Sequence, residues 1–393
     1  MNRREFMAVG AGALAALPIA AQDDGGLIVH EWGVVTIAYG TTRGFARSEG
    51  SRFVEGVEKP EELPEFVVTL QKALDGAIED WKNMPVRKPI VYFHAKRRMN
   101  VDVRVAIPKG RPHAWWPPVT DLAPKANLRP RGGKGGDEPK LPTIADLPAE
   151  NGAIVWRNVT LDADEKKFEP AKGWWATARE TASTPVSVNG RSDKFLFYDA
   201  LTRVDAGLEI AWARDGKVTI TSRDAVTLFA IHVKDGTCFS ATLAMAKGEA
   251  KELAPTEGKP DLAKPLVAAG LCADEVAALI KIWTDEFFEA NGARVLAILP
   301  RETYDALLPI EITPKPAELK RVLIAHLECL DPTAQARVDA WIAALGSENL
   351  EERDTATKGL RRFGPLAEKS IRDAIERSKD AESKSRLQEL LKR

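Results

Sequence analysis

The 393-residue chain is poor in the residues from which local chemical motifs are built. Its three cysteines, Cys238, Cys272 and Cys329, are too few for a disulfide framework, and none sits in a CxxC spacing. Its five histidines, His30, His94, His113, His232 and His326, form no HExxH and no pair four residues apart on a helix. No Gly-x-Ser-x-Gly nucleophile turn occurs. Charge of one sign is not in excess. The 56 Lys and Arg face 57 Asp and Glu, which argues against a chain devoted to gripping nucleic acid or an anionic membrane. Beyond one short stretch at the start there is no long apolar run, so nothing later is expected to span a bilayer.

What is present is the composition of a globular protein. Apolar residues make up 44% and charged residues 29%, enough for a sizeable core under a solvated surface, over a length that suggests two or three domains. Residues 1–21 are expected to be a signal peptide. Asn2-Arg3-Arg4-Glu5-Phe6-Met7 precedes the uncharged, Ala- and Gly-rich run 8–21, too short to cross a membrane as a helix. The paired arginines followed by Phe6 and Met7 resemble the twin-arginine signal family, with Ala8 where a lysine often stands. That resemblance implies export of an already folded chain to the periplasm or beyond, leaving a mature protein with 54 basic and 56 acidic residues and no membrane anchor.

The mature chain divides by pattern. Residues 27–37 read as a strand interrupted at Gly33, where a bulge is conceivable. Phe66, Val67, Leu70, Leu74, Ala77, Ile78 and Trp81 recur at helical steps behind Pro64, predicting a helix. Strands follow at 89–94 and 101–107. The segment 121–152, crowded with Pro, Gly and Lys, reads as a flexible insertion. Its lone Arg-Gly-Gly is not an RNA-binding signal. From 153 to 243 short strands alternate with turns, and Asp215-Gly216 and Asp235-Gly236 mark tight hairpins. Residues 248–264 read as a linker. A mixed block, 265–345, predicts a helix at 273–289, strands at 294–299 and 319–330, and a helix at 332–345.

The tail, 346–393, carries apolar residues at helical spacing in three segments joined at Gly364-Pro365. It resembles a single HEAT-like repeat of the kind found in exported planctomycete proteins. One repeat cannot bury its own apolar face, so it is expected to dock on helix 332–345. The fold class expected is therefore α+β: a β-rich, antiparallel sandwich-like body over 22–247, a mixed α/β segment packed on it, and a C-terminal helical HEAT-like hairpin. A wider resemblance rests on His30-Glu31-Trp32-Gly33, Pro89-Ile90-Val91-Tyr92-Phe93, Lys194-Phe195-Leu196-Phe197-Tyr198 and Pro309-Ile310-Glu311-Ile312-Thr313-Pro314. Together these resemble a family of exported bacterial proteins with a His-Glu-Trp-Gly signature, uncharacterised in activity. The likeness implies no catalytic residue.

Two functional readings compete. Ten tryptophans against four tyrosines is a skewed ratio, and two pairs are adjacent, Trp115-Trp116 beside Pro117-Pro118 and Trp174-Trp175 after Gly173. Adjacent residues of an extended chain face opposite ways, so one indole of each pair is available as a stacking platform for a carbohydrate or peptide, with Arg179 and Tyr198 as polar contacts. Burial of all four under the 121–152 insertion is the alternative. This reading makes the chain an exported binding or scaffold protein, with no cofactor and no metal site, and with 346–393 as a protein-contact or oligomerisation element. The second reading is an extracytoplasmic metal-assisted hydrolase using His30, Glu31 and a second histidine. Against it, neighbours on a strand point to opposite faces, and a strand histidine more often bonds a backbone carbonyl. Cys238 and Cys329 lie in strand patterns, as small buried hydrophobes do.

Overall fold

The computed structural model describes residues 26–39, 63–69, 84–123, 150–213 and 215–391. The predicted signal peptide and residues 124–149 of the predicted insertion lie outside the described residues. The first strand, β1 (Ile28–Ala38), is followed by β2 (Val68–Thr69), β3 (Met84–His94), β4 (Met99–Ile107), β5 (Gly110–Trp116) and β6 (Asp121–Ala123). Then come β7 (Gly152–Leu161), a short helix α1 (Gly173–Ala178), β8 (Val186–Val188), β9 (Arg191–Asp193) and β10 (Leu196–Thr202). The middle of the chain forms β11 (Leu208–Trp212), β12 (Val218–Ser222), β13 (Val226–Lys234), β14 (Thr237–Met245), β15 (Ala250–Leu253) and β16 (Thr256–Glu257). After α2 (Ala263–Ala268), helix α3 (Ala273–Thr284) runs into a π-helical turn at Asp285–Glu289. It precedes β17 (Gly292–Ile298), α4 (Arg301–Leu307), β18 (Ile310–Thr313) and β19 (Glu318–Cys329). The tail holds α5 (Pro332–Ala344), α6 (Leu350–Phe363), α7 (Glu368–Arg377) and α8 (Ala381–Leu391).

The architecture is β-rich α+β. A ten-stranded sheet runs β16-β14-β13-β17-β19-β1-β3-β10-β5-β2, antiparallel except where β1 lies parallel to β19. One face shares an apolar core with a six-stranded sheet (β18-β4-β7-β8-β9, with β6 on β7) and a three-stranded one (β11-β12-β15). The other face is covered by α1, α2 and α3 over a second core that includes Trp32, Tyr92, Phe197, Leu279 and Trp283. The strand pattern explains these layers. In β4, Val101, Val103, Val105 and Ile107 point into the first core while Asp102 and Arg104 point out. The β13–β14 hairpin turns at Asp235 and Gly236, both at positive φ (50° and 78°), as a two-residue primed turn requires.

Three sequence expectations change. Residues 63–69 do not start a helix: Val67 N–H bonds the Pro64 carbonyl in a turn and β2 then pairs with β5, while 70–83 lie outside the described residues. Residues 248–264 are not a bare linker, because β15 joins β12 and β16 joins β14. The blocks 22–247 and 265–345 also share the central sheet, since β1 sits between β3 and β19. At the tail, α5 packs with α6, α7 and α8 around Val338, Leu345, Ala356, Leu360, Ile371 and Leu387. Asp331 caps α5 by accepting the Ala334 N–H at 2.8 Å.

Helix α6 approaches α5 through Gly359, where an added Cβ would lie 2.4 Å from Trp341 Cε2. Gly359→Val should gain a few tenths of a kcal/mol in helix propensity. Overpacking against the indole should cost about 1–3 kcal/mol and win. The expected outcome is an earlier urea midpoint for loss of the helical circular-dichroism signal. An unchanged midpoint would mean that the α5–α6 contact does not hold the tail.

Candidate metal centre

The strand alternation that fills the second core also delivers two imidazoles to it. His30 of β1 and His94, the last residue of β3, point to the helix-covered face. In the antiparallel register Ile28 faces His94 and His30 faces Tyr92, which sets the two imidazoles diagonally with ring centroids 4.9 Å apart. Helix α3 supplies the rest. Cys272 is its N-cap and Glu275 its N3 residue, and the two form a capping box. The Glu275 carboxylate accepts the Cys272 N–H at 2.8 Å, and the Cys272 sulfur accepts the Glu275 N–H. Leu266, Leu271, Val276 and Leu279 anchor this turn in the core, so the carboxylate is carried onto the strands.

The donors converge. His30 Nδ1 lies 3.0 and 2.9 Å from the two Glu275 oxygens, His94 Nε2 lies 3.4 Å from Oε1, and Cys272 Sγ lies 3.8 Å from His30 Nδ1. One ligand atom from each of the four residues can be chosen so that all lie within 4.8 Å of one another. Glu275 is wholly buried and His30 nearly so; His94 is partly open, and Cys272 is exposed. Burial alone would raise the Glu275 carboxyl, but hydrogen bonds from His30 and His94 outweigh it and hold it at about 2. Partial desolvation, with the carboxylates of Glu275, Asp274 and Glu318, pushes the Cys272 thiol up. The site therefore holds a carboxylate and a thiol whose proton a cation can replace, beside two histidine side chains.

Two imidazoles, a thiolate and a carboxylate suit zinc or a similar transition ion, not calcium or magnesium, which want oxygen ligands. Metal bonds of about 2.0–2.3 Å place tetrahedral donors roughly 3.3–3.8 Å apart. The separations given above run from 2.9 to 3.8 Å and the remaining pairs lie within 4.8 Å, so the widest pairs must close by about 1 Å for the four to share one ion.

Only His30, of the two weak catalytic candidates, reaches this cluster. Glu31 faces the opposite core, because the bulge opposite β3 falls between Trp32 and Val34 and leaves the His30–Glu31 alternation intact. There Glu31 is wholly buried, bonded by Tyr198 Oη at 2.5 Å and by Arg321 Nε. The Arg321 guanidinium also bonds Asp305 and the Leu308 carbonyl, and lies 4.0 Å from the Tyr304 ring centroid. Burial first, then the Glu31 charge, keep the Tyr198 and Tyr304 phenols protonated well above their usual range. Glu31 thus belongs to a structural ion pair. Among the described residues His30 is bonded to Glu275 and not to the backbone carbonyl expected of a strand histidine. His326, expected to be structural, is buried 2.7 Å from Glu328 and edge-on to Phe287.

The tryptophan platform is also corrected. Trp115, Trp116, Trp174 and Trp175 are 1%, 3%, 3% and 0% exposed. Trp115 and Trp116 do face opposite ways, but both faces of their sheet are covered, one by each core. Trp174 and Trp175 lie on α1, not on extended chain, and meet Phe195 and Phe197 in tilted and edge-on ring contacts. Their polar organiser is Asp193. Its buried carboxylate accepts Trp116 Nε1 at 3.0 Å, Trp175 Nε1 at 3.1 Å, Arg179 Nε at 2.8 Å and Nη2 at 2.7 Å, and the Lys194 N–H at 2.8 Å. Arg179 and Tyr198 are committed to carboxylates inside the protein and not to a ligand surface.

Sequence spacing assigns no metal site, yet the fold gathers four ligand-type side chains. Cys272 and Glu275 escaped notice because their role depends on contacts with residues 181 to 245 positions away. The available signal was the cap: a helix beginning at Ala273 makes Cys272 the N-cap and puts Glu275 at the capping-box position. Asp193 carries no local signal of that kind. In comparisons with known proteins, no family model and no curated protein matches the chain.

Replacing Asp193 with Asn keeps the shape but removes the charge that Arg179 faces. Breaking a buried pair of this kind costs about 3–5 kcal/mol. Asp193→Asn should unfold at distinctly lower denaturant, with red-shifted tryptophan emission as the indoles loosen. A variant with wild-type stability and emission would contradict the organising role of this carboxylate.

Proposed function

We propose that this is an exported metal-binding protein in which His30, His94, Cys272 and Glu275 hold one zinc-class ion. The observation that carries the reading is the convergence of four ligand atoms, mutually within 4.8 Å, from β1, β3 and the first turn of α3. A hydrogen-bonded helix cap would need Cys272 and Glu275 alone. It would not require two imidazoles from adjacent strands to face the same carboxylate. Support for export comes from the basic start and the apolar run of residues 1–21. The carbohydrate or peptide ligand expected at the tryptophans loses its basis once those indoles are core. Protein contact through the tail remains part of this reading, with the exposed Leu350 at the start of α6 as its apolar feature.

A metal here joins the N-terminus of α3 to two strands of the central sheet. Binding to the folded state alone stabilises it by about 4 kcal/mol at a thousandfold excess over Kd. Protein purified without chelator should carry close to one zinc per chain by elemental analysis, and chelation should lower its Tm by several degrees. His94→Ala and Glu275→Ala should each abolish stoichiometric zinc while the β-rich circular-dichroism spectrum persists. Wild-type protein that takes up no zinc, copper or cobalt when dialysed against each would overturn the proposal.

A further inference from the structure

The four ligand residues are not equivalent, and their differences follow the path from core to solvent. Glu275 is wholly buried, sits inside the first turn of α3, and is fixed by the Cys272 N–H. His30 lies within β1, flanked by β19 and β3, so its backbone is paired on both sides. His94 ends β3 but is still paired in register with Ile28. Cys272 stands apart. It is exposed, it lies outside every strand at the cap of α3, and its sulfur makes the longest of the given contacts in the cluster, 3.8 Å to His30 Nδ1.

The three well-anchored donors, two histidines and a glutamate, are a set that hydrolytic zinc sites use when they keep a fourth position open. The fourth donor here is on the solvent side. Swinging its sulfur away gives up the capping bond from the Glu275 N–H but moves a residue that already meets solvent. The vacated position opens beside Lys320, which is the register partner of His30 in β19, on the same face of the sheet. The Lys320 stem lies against Gly270, two residues before Cys272, and its ammonium is 2.6 Å from Glu318. That charge is matched by Glu318, so what would draw a ligand to the opening is the vacant position on the ion itself.

Resting on the metal reading above, we propose that Cys272 is a displaceable fourth ligand of a His30–His94–Glu275 centre. Its departure opens one solvent-facing coordination position for water or a small oxygen- or nitrogen-donor anion. The thiol then acts as a plug on a three-ligand site. No bond in the incoming ligand is made or broken by this exchange. One donor replaces another on the ion.

Cobalt(II) and azide test this on the full chain. Wild-type protein loaded with cobalt should show a near-ultraviolet thiolate-to-cobalt band. Cys272→Ala should lose that band, keep one cobalt per chain with affinity within about tenfold of wild type, and retain its circular-dichroism spectrum. Azide should shift the visible cobalt bands of Cys272→Ala at about a tenth or less of the concentration that wild type needs. Independently, iodoacetamide should modify only Cys272 in the loaded wild-type protein, since Cys238 and Cys329 are buried, and the cobalt should stay bound. Two results overturn the proposal: a folded Cys272→Ala whose cobalt affinity falls by more than about a hundredfold, or one that holds cobalt with bands unmoved by azide. Failure of the wild type to bind cobalt, zinc or copper is a separate outcome. It would remove the metal reading itself and this inference with it.

Discussion

A buried carboxylate must be matched by something, and in this protein the match at Glu275 decides where α3 lies. Two imidazoles from adjacent strands hold the first turn of the helix. The other end is held by a second buried charge. Arg294 of β17 donates to the Phe287 and Ala290 carbonyls at the end of the π-helical turn, and is itself balanced by Glu328 at 3.2 Å. A cation at the carbonyl end and carboxylates at the amide end complement the helix dipole at both termini. The apolar stripe of α3 supplies most of the burial, and the charged ends fix its position along the sheet.

The same logic separates two layers of polar chemistry on one strand. His30 and Glu31 are neighbours in sequence, yet one faces the helix layer and the other faces the sheet layer. The first reaches a partly open cluster of ligand-type groups. The second is sealed in an ion pair with Arg321 and two tyrosines. A pair that reads in sequence as an acid–base couple is divided by the period of the strand into a candidate site and a structural element.

How far the sequence could be read depended on the range of the interaction. The alternation in β4 and the Asp235-Gly236 turn are local, and both were legible from neighbouring residues. The hydrophobic stripe of α3 was legible for the same reason. The start of the helix expected from Phe66 is turn and strand instead, because periodicity cannot see that β5 offers a partner to Val68 and Thr69. The exposed indoles failed because the sequence shows that neighbours on a strand diverge, but not that both faces of that strand are covered. The metal cluster and the Asp193 hub were illegible for a different reason. His30 and Glu275 are 245 positions apart, and Trp116 and Asp193 are 77 apart, so no window along the chain contains either pair.

The place of β1 between β3 and β19 has a consequence for biosynthesis. The strand emerges early from the ribosome, but one of its two hydrogen-bonding neighbours ends at Cys329. Until residues some 290 positions downstream have been translated, one edge of β1 has no partner from the native sheet. Pairing so distant in sequence is slow and leaves an open strand edge in the nascent chain. Closure of the central sheet therefore waits for β19 and cannot be completed by β1 and the strands that follow it directly.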